Sequence, residues 1–163
     1  MVATGVHILL SLALVLLIVR SERAEPYLVA ALAATVPDAD TFVFRPLIEL
    51  GYVSSVAWTH RGLTHSLLAG VVVVALLSAF GPWRAAAIGF GSHVAFDMLS
   101  GGVQLFAPVE QTLYGVSLDW LLLNMFASAI AVAVILGGLL GMKYDFDRRV
   151  PLRSPRSTLE RFR

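Results

Sequence analysis

The chain has 163 residues, 58% of them hydrophobic and 14% charged, with a formal charge of +1 at pH 7. A length of one domain combined with so little charge is too apolar for an ordinary soluble protein and places the chain among integral membrane proteins. The near-neutral charge provides no global attraction to nucleic acid. The absence of cysteine removes disulfides, thiolate ligands and cysteine nucleophiles, and leaves any metal to His, Asp and Glu.

Val2 to Val19 is almost wholly apolar, approaches the ~30 Å of a hydrocarbon core, and is followed by Arg20 and Arg23. It lacks a basic start and a small-residue cleavage site before Pro26, and it carries His7 inside the apolar run, so it reads as a helix of the mature protein rather than a signal peptide. Glu25-Pro26 opens a second helix that continues to Val36 and stops at Pro37, too short to span and best placed as a partial helix inside the bundle. Thr41 to Trp58 mixes aromatics with Arg45-Pro46, Glu49 and Gly51, which predicts an irregular or interfacial connection.

Leu63 to Phe80 is the second clear span, ended by Gly81-Pro82, and Trp83 to Leu99 is the third, ended by Ser100-Gly101-Gly102. These two predict a tight antiparallel hairpin. Val103 to Ser117 reads as a polar loop, and Leu118 to Met142 as the longest span. The expected fold is an all-α polytopic membrane helix bundle with about four full spans plus one short or partial helix. Residues 1–142 form the membrane-embedded domain and 143–163 a basic, proline-broken, flexible tail.

Seven of the twelve basic residues lie from Lys143 onward, which places that tail in the cytoplasm together with Arg20, Arg23 and Arg84. That assignment fixes every span. His7, Asp38, Asp40, His60, His65, His93 and Asp97 then all fall toward the outer face, although none of them was used to set the orientation. Arg61 alone dissents from the charge rule and is read as part of a site, facing an anion.

Thr59 to Ser66 concentrates two of the four histidines, an arginine and hydroxyls at the threshold of an apolar run. His93 and Asp97, four apart on a predicted helix, share a face as two ligands of one cluster would, and equally as a buried His–Asp hydrogen bond would. Asp38 and Asp40 flank one residue, so in a turn both carboxylates can face one cation, or else simply end a helix in solvent. His60 and His65, five apart, can act together only if Gly62 breaks the chain between them, with a nearby hydroxyl capping the following helix. His7 is a lone histidine on an apolar helix, brought into the group by its expected side. Ionisable groups in a membrane segment cost ~2.5 to 3.5 kcal/mol on insertion scales and therefore pair, bind an ion or line a polar cavity.

These elements resemble the YdjM-like family, LexA-regulated inner-membrane-associated proteins described as metal-dependent hydrolases. The resemblance is carried to about Pro108 by His7, by Val-Pro-Asp-Ala-Asp from Val36 to Asp40, by His-Arg-Gly-Leu-Thr-His-Ser-Leu from His60 to Leu67, by Ser-His-Val-Ala-Phe-Asp-Met-Leu from Ser92 to Leu99, and by Gly102 to Pro108. It implies metal roles for His7, Asp38, Asp40, His60, His65, His93 and Asp97, and a relation to zinc-dependent phospholipase C-like enzymes that act on phosphoesters. One departure is Thr41, where relatives often carry histidine.

The expected function is a membrane-bound hydrolase of a phosphoester, lipid or lipid-linked, in which two or more divalent ions, zinc first and manganese second, activate water. Arg61 would stabilise developing charge, and Asp38 or Asp40 would be ligand or general base. Membrane lipids are the expected partners, and the cell membrane the expected location. The rival is a non-catalytic metal-binding sensor or transporter-like protein.

Overall fold

The computed structural model describes residues 2–53 and 60–144. Among them all regular structure is helical: α1 (Thr4–Ile18), α2 (Glu25–Thr35), α3 (Asp40–Glu49), α4 (Leu67–Leu77), α5 (Trp83–Leu99) and α6 (Trp120–Tyr144). Short 3-10 turns at Pro37–Ala39 and Leu63–His65 lead into α3 and α4.

Side-chain size decides how these helices meet. Ala30, Ala33 and Ala34 of α2 and Ala85 and Ala86 of α5 are fully buried, and small residues let apolar helices approach closely. At Gly89 the approach is closest: a Cβ there would lie 2.2 Å from the Ala30 carbonyl oxygen. Val15, Val29, Phe90, Val94 and Val103 fill the remaining space of this core. α4 packs antiparallel on α5, with Gly70 over the Phe90 ring, so the expected hairpin forms. α6 runs alongside α1, from the Asn124 Oδ1 that accepts from Ala3 N at 2.8 Å to Gly138 against Leu16.

This topology gathers polar groups at one end. α1, α4 and α6 begin there, and α2 and α5 finish there. At the other end Val19, Arg23, Glu25, Phe80 and Pro82 line one groove, close to Arg20 and Arg84.

Three expectations need correction. Among the described residues, one helix, α6, is long and apolar enough to cross a membrane, or two if α2 and the 3-10 turn with α3, bent by 43°, count as one broken span, rather than about four full spans. α1 has 15 residues and α4 has 11, about 22 and 16 Å of helix, short of a ~30 Å core. α4 is shorter than the apolar run because Ser66 Oγ caps it, accepting from Ala69 N at 3.1 Å, which assigns Leu63 to the turn before it. The supposedly irregular connection from Thr41 contains α3, with Pro46 inside it; Asp40 supplies a negative charge in its first turn and Arg45 pairs with Glu49 one turn on at 3.0 Å. Residues 54–59 and 145–163, including Thr59, Trp58 and most of the basic tail, lie outside the described residues.

The polar loop after α5 is drawn back over that helix by antiparallel bridges Ser100–Ser117 and Val103–Tyr114. Gly102, at φ 92°, makes the turn possible, since a side chain is disfavoured in that conformation. Asp119 then opens α6, its Oδ1 accepting from Leu122 N at 2.9 Å, as a charge at a helix start should.

Candidate metal centre

Every ligand candidate lies at the gathered end. His65, His93 and Asp97 are wholly buried, and Asp38 and Asp40 nearly so. Two overlapping groups have ligand atoms within 4.8 Å of one another: Asp38, His65, His93 and Asp97, and Asp40, His60 and His65.

The first group has a specific design. Each member has one polar atom held by an outer partner and the other turned inward. Asp38 Oδ2 accepts from Thr4 Oγ1 at 2.5 Å, and Asp97 Oδ1 accepts from Arg61 Nη2 at 2.9 Å. His93 Nδ1 lies 2.7 Å from the Ala34 carbonyl, which can only accept, so Nδ1 carries the proton and Nε2 presents a lone pair. His65 Nδ1 lies 3.0 Å from Thr64 Oγ1.

The inward atoms face each other. His65 Nε2 is 3.2 Å from His93 Nε2 and 3.2 Å from Asp97 Oδ2; His93 Nε2 is 3.6 Å from Asp97 Oδ2 and from Asp38 Oδ1; His65 Nε2 is 3.9 Å from Asp38 Oδ1. Ligands 2.0 to 2.2 Å from a tetrahedral ion stand ~3.4 Å apart, which lies within this range. Asp97 Oδ2 has no hydrogen-bond partner despite complete burial. An orphaned carboxylate oxygen is costly, and a cation at the centre removes the cost.

Charge gives the same answer. Three buried carboxylates, Asp38, Asp40 and Asp97, share this end with one guanidinium in contact, Arg61. Counted without the imidazoles, these groups carry an excess of negative charge, which favours a cation at the centre. The residues therefore fit a metal of the His and carboxylate type.

The outer partners depend on local folding. Gly89 brings α2 and α5 close enough for the His93–Ala34 bond. Arg61 adopts φ 67°, rare for a side-chain-bearing residue, and is locked there by its fork. Its Nη atoms donate to Asp97 Oδ1, Ser100 Oγ at 2.8 Å, and the Ser100 and Gly102 carbonyls at 3.1 and 3.4 Å. Arg61, expected to face an anion, has four donor contacts that aim it at the Asp97 carboxylate and at the turn after α5, where it positions that side chain.

His60 and Asp40 sit on the outer side. The break at Gly62 places His60 in a turn, and its Nδ1 lies 3.1 Å from Asp40 Oδ1. This hydrogen bond is the main reason the His60 pKa is raised above its ordinary value. Thr41 Oγ1 also donates to Asp40 Oδ1, at 3.0 Å. His7 lies outside both groups, stacked on His93 at 3.8 Å between ring centroids, with Nε2 3.7 Å from Asp97 Oδ1 and both ring nitrogens unpartnered.

Sequence reasoning did not single out Thr4, Ala34 or Ser100. Thr4 is one turn before His7 and Ser100 follows Asp97 by three, spacings too common to signal anything; a backbone carbonyl such as that of Ala34 leaves no sequence signal.

The fold and this site define an all-helical protein with a membrane-type apolar surface and a buried His/Asp cluster suited to a metal ion. The chain belongs to the YdjM inner membrane protein family, whose model matches residues 1–154. No curated protein and no solved structure matches it.

Proposed function

We propose that this chain is a multi-pass inner-membrane metal-dependent hydrolase, with its site near the outer membrane face and its C-terminal tail in the cytoplasm. The observation that carries the metal is the convergence of Asp38 Oδ1, His65 Nε2, His93 Nε2 and Asp97 Oδ2, each with its other polar atom held from outside. Zinc suits two imidazoles and two carboxylates, with manganese second. When bound, the ion lowers the pKa of water and polarises a phosphoryl oxygen. His60, partly exposed and hydrogen-bonded to Asp40 through Nδ1, is the residue placed to pass a proton from Nε2 to a leaving group.

The short helices α1 and α4 lie in the membrane beside α6, whose exposed Leu121, Met125, Phe126, Ile130, Leu136 and Leu139 meet lipid. A phosphoester of a lipid or lipid-linked molecule is the proposed substrate; Arg20, Arg23 and Arg84 at the end away from the site support a position near the outer headgroups. His7 serves beside His93 as a further metal-side residue.

A second reading, a metal-binding sensor without catalysis, has one observation in its favour: the four buried side chains Asp38, His65, His93 and Asp97 would supply as many ligands as a structural zinc takes, whereas catalytic zinc keeps a position open. Elemental analysis of detergent-purified protein tests the shared part, with His65→Ala and Asp97→Ala expected to lose the ion. Wild-type protein free of metal after zinc and manganese are supplied would falsify the metal reading. Metal-dependent turnover on a panel of phosphoesters, esters and amides separates hydrolase from sensor; no turnover on any of them selects the sensor.

A further inference from the structure

We propose that Thr64 is a positioning residue that fixes the tautomer of His65 and thereby limits the centre to one divalent ion. This rests on the metal reading above and decides the number of ions, which two overlapping ligand groups leave at one or two.

Proton counting carries the argument. Thr64 Oγ1 lies 3.0 Å from Asp40 Oδ2 and 3.0 Å from His65 Nδ1. A hydroxyl has one proton, and an ionised carboxylate only accepts, so Thr64 donates to Asp40. It must then accept from His65, whose Nδ1 carries the proton. The lone pair of His65 is left on Nε2, the atom within 3.2 Å of both His93 Nε2 and Asp97 Oδ2. His93 is set the same way by the Ala34 carbonyl.

A second ion among Asp40, His60 and His65 would need His65 Nδ1, which is 3.7 Å from Asp40 Oδ2. That requires an imidazolate shared by two metals and loss of the Thr64 contact. Asp40 is also occupied: Oδ1 accepts from Thr41 Oγ1 and His60 Nδ1, and Oδ2 from Thr64. Asp40 is thus the outer anchor of a carboxylate–hydroxyl–imidazole chain, the arrangement that orients a ligating histidine from behind.

The test uses the full chain in detergent, loaded with Zn2+ and desalted. One zinc per chain is expected for wild type. Thr64→Val keeps the shape, removes both hydrogen bonds and is expected to weaken zinc 10- to 100-fold in chelator competition, while Thr64→Ser restores it. Histidine-detected 15N NMR of the zinc-loaded wild type should show His65 protonated at Nδ1, its signal assigned from its loss in His65→Asn. Two ions per chain, a His65 ring without the Nδ1 proton, or Thr64→Val binding as tightly as wild type each overturn the proposal. The NMR readout needs no positioning variant, so misfolding of Thr64→Val leaves it decisive. Wild type that takes up no zinc overturns the metal reading as well, a result distinct from those three.

Discussion

Gly89→Ala is expected to disable the metal centre without touching a ligand. The added Cβ would stand 2.2 Å from the Ala30 carbonyl oxygen, and contacts under 3.0 Å are essentially never made by real Cβ atoms. The partner atom is backbone and cannot rotate away, so α2 and α5 must part by roughly 0.8 Å at this level, an overpacking that costs ~1 to 3 kcal/mol. One helical turn further along the same seam, His93 Nδ1 bonds the Ala34 carbonyl at 2.7 Å. The same opening stretches that bond to ~3.5 Å, where a hydrogen bond no longer orients a ring. Loss of an outer partner of a ligating histidine costs ~10- to 100-fold in metal affinity. Chelator competition on the detergent-purified protein measures this, with thermal unfolding in parallel. Gly91→Ala on the same helix is the control, since nothing lies within 4 Å of its Cβ, and it should bind zinc as wild type does and gain slightly in stability. Equal zinc affinity and equal unfolding temperature for Gly89→Ala and Gly91→Ala would refute the idea that the α2–α5 seam sets His93.

Arg61→Lys retains the charge but cannot reproduce four contacts from a planar fork, so zinc affinity should fall ~10-fold or more although no ligand has changed; affinity equal to wild type would return Arg61 to a role outside the centre. In metal-free protein the His60–Asp40 contact raises the His60 pKa, so its stabilisation is complete below the ordinary histidine value of about 6.5 and is lost as pH rises through the raised value. The unfolding temperature of metal-free wild type should therefore fall over that window relative to His60→Ala, and parallel pH profiles would exclude the contact as its cause. Deleting residues after Asp147 should leave the zinc content unchanged, because every proposed ligand precedes residue 98; a truncated protein that purifies folded but without metal contradicts this.

The sequence by itself determined the helical and apolar character of the chain and the identity of the ligand-type residues, because both are properties of composition and short spacing. Helix polarity determined more: arginines at Arg20, Arg23 and Arg84 required the ends near His7, Asp38, His65 and Asp97 to meet, and they do. Helix lengths were not legible, since an apolar run such as Leu63 to Phe80 does not reveal that the Ser66 hydroxyl will start the helix late. Nor was α3, whose Pro46 reads as a breaker although the helix runs through it to Glu49. Only the tertiary structure sorted the seven candidates into four that face one point, a His60–Asp40 pair outside them, and His7 stacked behind His93. That sorting depends on contacts between residues far apart in sequence, Thr4 with Asp38, Arg61 with Asp97 and Ala34 with His93, each fixing which atom of a two-sided ligand points inward. A residue type declares what it can coordinate; the atom it presents is decided by what holds the other one.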